Sequence, residues 1–212
     1  MAIELSKLIQ HPQNSVELEQ YPTEGDLAAF FMLAVDQLDE LHAKTIVDIG
    51  AGNGILGIGC AILDASKVIL IEGDEDVSKI ASENAEKVMN NSTCEIQVMT
   101  CMLGIQESPK LEDVDIVVMN PPWGFQTPKA DRPMLEYAFS LNASAIYVLH
   151  SAKAKHLVKM SKDCGYDSEI VFESNFRLPA KYSHQSRRMS NTQVRCWRFH
   201  KPGDAKILLE EE

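Results

Sequence analysis

The sequence predicts an α/β protein with a mostly parallel, seven-stranded sheet flanked by helices, and three observations predict it. Short apolar runs alternate with amphipathic helical patterns, a glycine-rich turn joins the first run to a helix, and the conspicuous polar residues stand where strands stop. Helical periodicity is expected over residues 2–10, 25–41, 54–63, 76–89, 134–141 and 152–164. Strands are expected over 45–49, 68–72, 94–99, 116–119, 145–149, 168–172 and 194–199, where aliphatic and β-branched residues cluster. The stretch 175–191 between the last two is loop-like and too short for a right-handed helical crossover, so the final strand is expected to be antiparallel. The ends, 2–14 and 203–212, read as peripheral, with the acidic Glu210-Glu211-Glu212 fraying.

Composition narrows the class. The chain of 212 residues is 45% hydrophobic, enough for one domain with an ample core. No apolar run approaches the roughly 18 residues of a membrane span, and the N-terminus has no signal-peptide pattern. A soluble, cytoplasmic protein is expected. Cys60, Cys94, Cys101, Cys164 and Cys196 are odd in number and scattered without a C-x-x-C pair, so neither a disulfide framework nor a metal site is expected. The net charge of −11 argues against undirected nucleic-acid binding, yet residues 151–200 hold ten Lys or Arg against four Asp or Glu. The densest part is Lys181-Tyr182-Ser183-His184-Gln185-Ser186-Arg187-Arg188. It reads either as a solvated hairpin loop or as an RNA contact through Lys181, Tyr182, His184, Arg187 and Arg188, where phosphates position and stacking selects.

Three motifs carry chemistry. Asn120-Pro121-Pro122-Trp123 follows the apolar run Asp115-Ile116-Val117-Val118-Met119. Two prolines prevent the backbone from continuing as helix or ladder, which leaves carbonyls able to face a ligand. One reading is a capped strand end. The other is N-methylation of a planar amine: the Asn120 oxygen and Pro121 carbonyl accept the amine hydrogens and localise its lone pair, while Trp123 stacks on the base. The second motif is Gly50-Ala51-Gly52-Asn53-Gly54 between the run ending at Asp48-Ile49 and a helix, a turn that lets a ligand approach the backbone. Ile55 stands where a dinucleotide fingerprint wants its third glycine, which weakens a nicotinamide or flavin reading. The third is Glu72 before Gly73, at the end of the second run, where an acid can accept both ribose hydroxyls of a nucleoside or simply face solvent.

Glycine turn after strand one, acid after strand two and Asn-Pro-Pro-aromatic after strand four is an order that resembles the class I S-adenosylmethionine-dependent methyltransferases and their Rossmann-like sheet. Further stretches narrow the likeness: Leu18-Glu19-Gln20-Tyr21-Pro22-Thr23, Tyr147-Val148-Leu149-His150-Ser151 and Leu178-Pro179-Ala180-x-Tyr182-x-His184. With the glycine turn and Asn120-Pro121-Pro122-Trp123-Gly124 they look like the methyltransferase-like protein 5 family, over about residues 18–199. The resemblance implies N6-adenosine methylation of small-subunit ribosomal RNA with S-adenosylmethionine as donor, and a heterodimer with a small zinc-ribbon activator. It divides the domain into N-terminal helices and cofactor lid (1–40), core (41–200) and acidic tail (203–212).

The cofactor is then expected at Gln20, Tyr21, Thr23, Asp48, Gly50, Gly52, Gly54, Glu72, Gly73, Cys101 and Asn120, and the chemistry at Asn120, Pro121, Pro122 and Trp123. Thr23 and Asp26 read equally as caps of the following helix. Val68-Ile69-Leu70-Ile71 reads as part of the activator surface or as core. Three departures from the family stand out. Cys101 replaces an acid that grips the cofactor's adenine amine, and a thiol is a weak acceptor; Trp123 replaces the commoner Phe, and Glu72 the commoner Asp. His150 reads as a buried strand-end residue and His184 as a loop contact, neither as a base. Methylation of a protein glutamine amide or of guanine N2, and a non-catalytic cofactor-binding scaffold, are the alternatives.

Overall fold

The computed structural model describes residues 1–10, 23–89, 93–124, 127–177 and 191–207. In chain order these form α1 (Ala2–Leu5), α2 (Gly25–Asp39), β1 (Thr45–Ile49), α3 (Ile55–Ile62), β2 (Lys67–Glu72), α4 (Glu75–Met89), β3 (Glu95–Thr100) and β4 (Ile116–Met119). Then follow α5 (Arg132–Ser140), β5 (Ala145–Ser151), α6 (His156–Asp163), β6 (Asp167–Arg177) and β7 (Asn191–His200). The seven strands make one sheet in the order β3-β2-β1-β4-β5-β7-β6. β1 to β5 run parallel, while β7 is antiparallel to both β5 and β6, as the short connection demands. Strand order reverses between β1 and β4, so the carboxyl ends of the central strands open on a switch-point crevice.

The central strands are near-continuous apolar runs because helices cover both faces. Alternation in β1 sends Ile46 to a core shared with α1, α2 and α3, and Val47 and Ile49 to one shared with α5 and α6. Glycine lets α3 lie tightly on the first face, since a Cβ at Gly57 would come within 2.2 Å of Leu70. On α4, Asp74 Oδ1 accepts the amides of Asp76 and Val77, and acids in the first turn with Lys87 in the last suit the macrodipole.

The structure departs from expectation in three places, and for residues 68–71 it selects one of two readings. The N-terminal helix stops at Leu5, where the Ser6 hydroxyl bonds back to the Ala2 carbonyl. The segment is nonetheless not peripheral: Leu5 and Leu8 are buried, and the Ile9 backbone is gripped by Asn84 and Asn53 side chains. β6 extends five residues beyond 172, although Glu173-Ser174-Asn175 has poor strand propensity, because Glu173 pairs with Arg195 and Gln193 across the ladder. Val68 to Ile71 are core: β2 lies inside the sheet and the edge belongs to β3. Among the described residues no helix is long and apolar enough to cross a membrane.

A buried ion network ties the two ends of the fold together. Arg198 of β7, without exposed surface, donates to both carboxylate oxygens of Asp39 at 2.6 and 2.8 Å, to Glu169 at 2.7 Å and to the Asp204 carboxylate at 2.8 Å. Tyr147 donates its hydroxyl to the same Asp39 at 2.6 Å. Burial disfavours the guanidinium charge, but the surrounding carboxylates outweigh it and raise the Arg198 pKa.

Candidate active site

The end of β1 builds the first wall of the crevice. Gly50 and Ala51 both donate their amides to the Ile71 carbonyl, which bends the chain out of the sheet, and Gly54, with φ of 86°, stands at the N-cap of α3. Gly52 has φ of 57° and nothing within 4 Å of the position a Cβ would take, so the turn leaves room above itself. At the end of β2, Glu72 accepts the Gly52 amide at 2.8 Å and the Asp74 amide at 2.9 Å. Burial raises its pKa, those amides partly offsetting the rise. Gly73 lies under Met102, too close for a Cβ.

Asp48 supports the turn from beneath rather than lining its open side. Its carboxylate is fully buried, one oxygen accepts the Gly57 amide at 2.8 Å, and the other has no partner. Burial pushes its pKa up to about 7; the Gly57 bond resists the shift and the Glu72 charge adds to it. The folded state therefore binds more protons than the unfolded chain between the ordinary 3.8 and about 7, and its stability falls as pH rises through that window. Asp48→Asn keeps an oxygen for Gly57 and cannot ionise, so it is expected to flatten the decline, by up to roughly 4 kcal/mol at pH 8. Melting of both proteins from pH 4 to 8 checks this; a constant difference between them would refute it.

The second wall is the end of β4. Asn120 donates its amide Nδ2 to the Thr23 hydroxyl at 3.0 Å and accepts the Trp123 indole N–H on Oδ1 at 3.2 Å. Thr23 thus orients Asn120 instead of capping α2, whose N-cap Glu24 makes no side-chain bond. Trp123 stacks on the His150 ring at 6.1 Å between centroids and 29° between planes. Cys101 follows β3, its amide donating to the Glu72 carbonyl and its thiol to the Glu107 carbonyl at 3.7 Å. The structure thus brings Thr23, Asn120, Pro121, Pro122 and Trp123 to the crevice that the glycine turn and Glu72 border. Gln20, Tyr21, Lys181, Tyr182, His184, Arg187 and Arg188 lie outside the described residues.

This geometry has relatives. The family described as conserved hypothetical protein 95 matches residues 22–168. The rRNA N(6)-adenosine-methyltransferase METTL5 of Danio rerio is 32% identical over 185 residues, which cover 86% of this chain and 88% of that protein. This chain belongs to the conserved hypothetical protein 95 family, as a METTL5 homologue. The METTL5 protein of Drosophila melanogaster is 29% identical over 88% of each chain. The crystal structure of PH1948 from Pyrococcus horikoshii, described as a candidate RNA methyltransferase, superposes with a TM-score of 0.80 at 30% identity, covering 94% of this chain and 96% of that one.

Two residues of the METTL5 homologue's site escaped the sequence reading. Asp131, buried at the N-cap of α5, and His156, the first residue of α6, meet His150 behind Trp123. Asp131 before Arg132-Pro133 is a helix-start signal that sequence does offer. Nothing in the spacing of 131, 150 and 156 announces that they converge.

Proposed function

We propose that this METTL5 homologue transfers a methyl group from S-adenosylmethionine to N6 of an adenosine in ribosomal RNA, the small-subunit RNA in particular. The observation that carries the reading is the Thr23-Asn120-Trp123 arrangement beside the glycine turn. It places an acceptor oxygen and an aromatic face together where a flat amine can enter. The fit for the cofactor rests on the space above Gly52 and on Glu72, whose two oxygens each hold one amide and keep a lone pair for ribose hydroxyls. The amides and carbonyls around Gly50, Gly52, Gly54 and Gly73 would cradle the rest, with Cys101 closing the adenine end and Gln20, Tyr21 and Thr23 the methionine end. When bound, the cofactor supplies an electrophilic methyl on a sulfonium.

The chain's own work is positioning. The Thr23 hydroxyl fixes which way the Asn120 amide points, so Oδ1 faces the indole and keeps its second lone pair for an N6 hydrogen. The Pro121 carbonyl takes the other hydrogen, Pro122 holds the turn rigid, and Trp123 stacks on an unpaired or flipped adenine. The amine proton leaves to solvent after transfer.

RNA docking draws on the basic stretch 181–188, outside the described residues, and on α6. Lys155, Lys159 and Lys162 are exposed and fall within about a third of that helix's circumference, opposite the buried Leu157 and Ser161. Lys155, at the N-cap, opposes the macrodipole, a local cost that a phosphate partner would offset, while Lys162 in the last turn suits it. The triple change to Glu is expected to raise KM for RNA at least tenfold with kcat little altered, and to lower the slope of log affinity against log salt by about 2 to 3. Equal KM at all salt concentrations would remove α6 from the interface.

Edge strand β3, with one side unpaired in the sheet, is where we place the zinc-ribbon activator, by strand addition. No disulfide joins the five cysteines, in keeping with a reducing, cytoplasmic setting. The deciding experiment is tritium transfer from labelled S-adenosylmethionine to total rRNA, with and without the activator, followed by nucleoside digestion. Label in N6-methyladenosine is expected. Label in guanosine, in protein glutamine, or nowhere despite cofactor binding would replace the reading by the corresponding alternative.

A further inference from the structure

Behind Trp123 lies a polar cluster that the reaction does not use. His150, Asp131 and His156 come from β5, the start of α5 and the start of α6, and each offers an atom within 4.8 Å of the others. The Asp131 Oδ2 atom lies 2.5 Å from His156 Nε2 and 3.3 Å from His150 Nε2. Both Asp131 and His150 are buried, whereas His156 is half-exposed. A metal ion fits the spacing but not the proton positions. The Ser151 amide donates to His150 Nδ1 at 2.8 Å, so the neutral ring carries its proton on Nε2, directed at Asp131, where a metal would need a lone pair.

The cluster is therefore read as carboxylate and imidazoles. Burial opposes ionisation of Asp131, but the two imidazoles outweigh it and hold its carboxyl below the usual range. One buried carboxylate oxygen thus faces two ring nitrogens. The His150 contact is the looser of the two, and its Nε2 lacks a fully aligned acceptor.

What His150 touches gives the cluster its use. Its ring is stacked on the Trp123 indole, whose N–H is in turn bonded to Asn120. A hydrogen bond at the ring nitrogen does not by itself set the tilt of an indole, and the His150 ring lies stacked where it can. We propose that His150, oriented by Asp131, is a positioning residue that sets the plane of Trp123 against which the target base stacks. The consequence is catalytic without contact: the tilt of the base decides whether its amine meets the Asn120 and Pro121 oxygens. This role rests on the adenosine reading above, and its test has a readout that needs no substrate.

The readout is the time-resolved fluorescence anisotropy of Trp123, isolated by difference from the Trp123→Phe protein. In His150→Leu, which fills the space without a planar ring or an N–H, Trp123 is expected to gain fast motion and lose residual anisotropy. With RNA, kcat is expected to fall at least tenfold while KM for RNA and Kd for the cofactor stay within about threefold. Asp131→Asn keeps an acceptor for the imidazole and is expected to retain kcat within about threefold; Asp131→Ala is expected to behave as His150→Leu and carries the test if that variant does not fold. Unchanged anisotropy, or kcat unaltered in both His150→Leu and Asp131→Ala, overturns the proposal. Loosening of Trp123 in a protein whose wild type methylates no RNA would keep the positioning role and overturn the adenosine reading alone.

Discussion

Replacing Asn120 by alanine is expected to reduce methyl transfer to RNA by at least about a hundredfold, to background in most assays, while cofactor affinity changes little. The side chain reaches across to Thr23 and Trp123 and offers its remaining lone pair to the amine, so its loss removes an acceptor and the brace of the indole together. Loss of one preorganised polar group at a reacting centre costs about two to three orders of magnitude in rate. The glycine turn and Glu72, joined by the Gly52 amide bond, are untouched and are expected to keep the nucleoside end in place. Single-turnover transfer and calorimetric titration with S-adenosylmethionine separate the two effects; a variant that turns over at a tenth of the wild-type rate would refute the role of Asn120.

Arg198→Met is expected to cost about 3 to 5 kcal/mol, because it removes the buried cation and leaves the largely covered carboxylates of Asp39 and Glu169 without it. For a chain of this size that is a fall in Tm on the order of 10 °C. A side chain of similar length fills the space, so the loss reports unpaired charge rather than a cavity. By contrast, the exposed pair Lys79–Glu75 should contribute little. Thermal unfolding at neutral pH decides it, and a shift under about 3 °C would show that water reaches the carboxylates.

The seven strands and the antiparallel last one were legible because the signals are local: apolar runs of fixed length, a glycine turn, and a connection too short to cross over; the strand order, with β7 between β5 and β6, depends on pairings across the chain. The Asn-Pro-Pro-Trp motif, the glycine turn and Glu72 could be read for the same reason, each being contiguous in sequence. What stayed hidden depends on distance. Arg198 and Asp39 are 159 residues apart, and a buried arginine on a strand looks like a surface one until its partners are known. Asp48 reads in sequence as one more residue of the motif; only the alternation of β1, which turns it toward α3, gives it a supporting place. The N-terminal segment reads as peripheral because the groups that hold it, Asn53 and Asn84, are side-chain amides far along the chain.

The place of β7 has a consequence for biosynthesis. It leaves the ribosome after the other six strands of this sheet, yet it lies between β5 and β6, and it carries the guanidinium that anchors the end of α2. Until residues 191–200 emerge, β5, which bears His150, is without its antiparallel neighbour, and β6 has no ladder to join. Vectorial folding can assemble the nucleoside-binding half early, but the aromatic platform gains its rigid backing only when synthesis reaches β7. The half of the site that takes the nucleoside would then be in place before the half that receives the base.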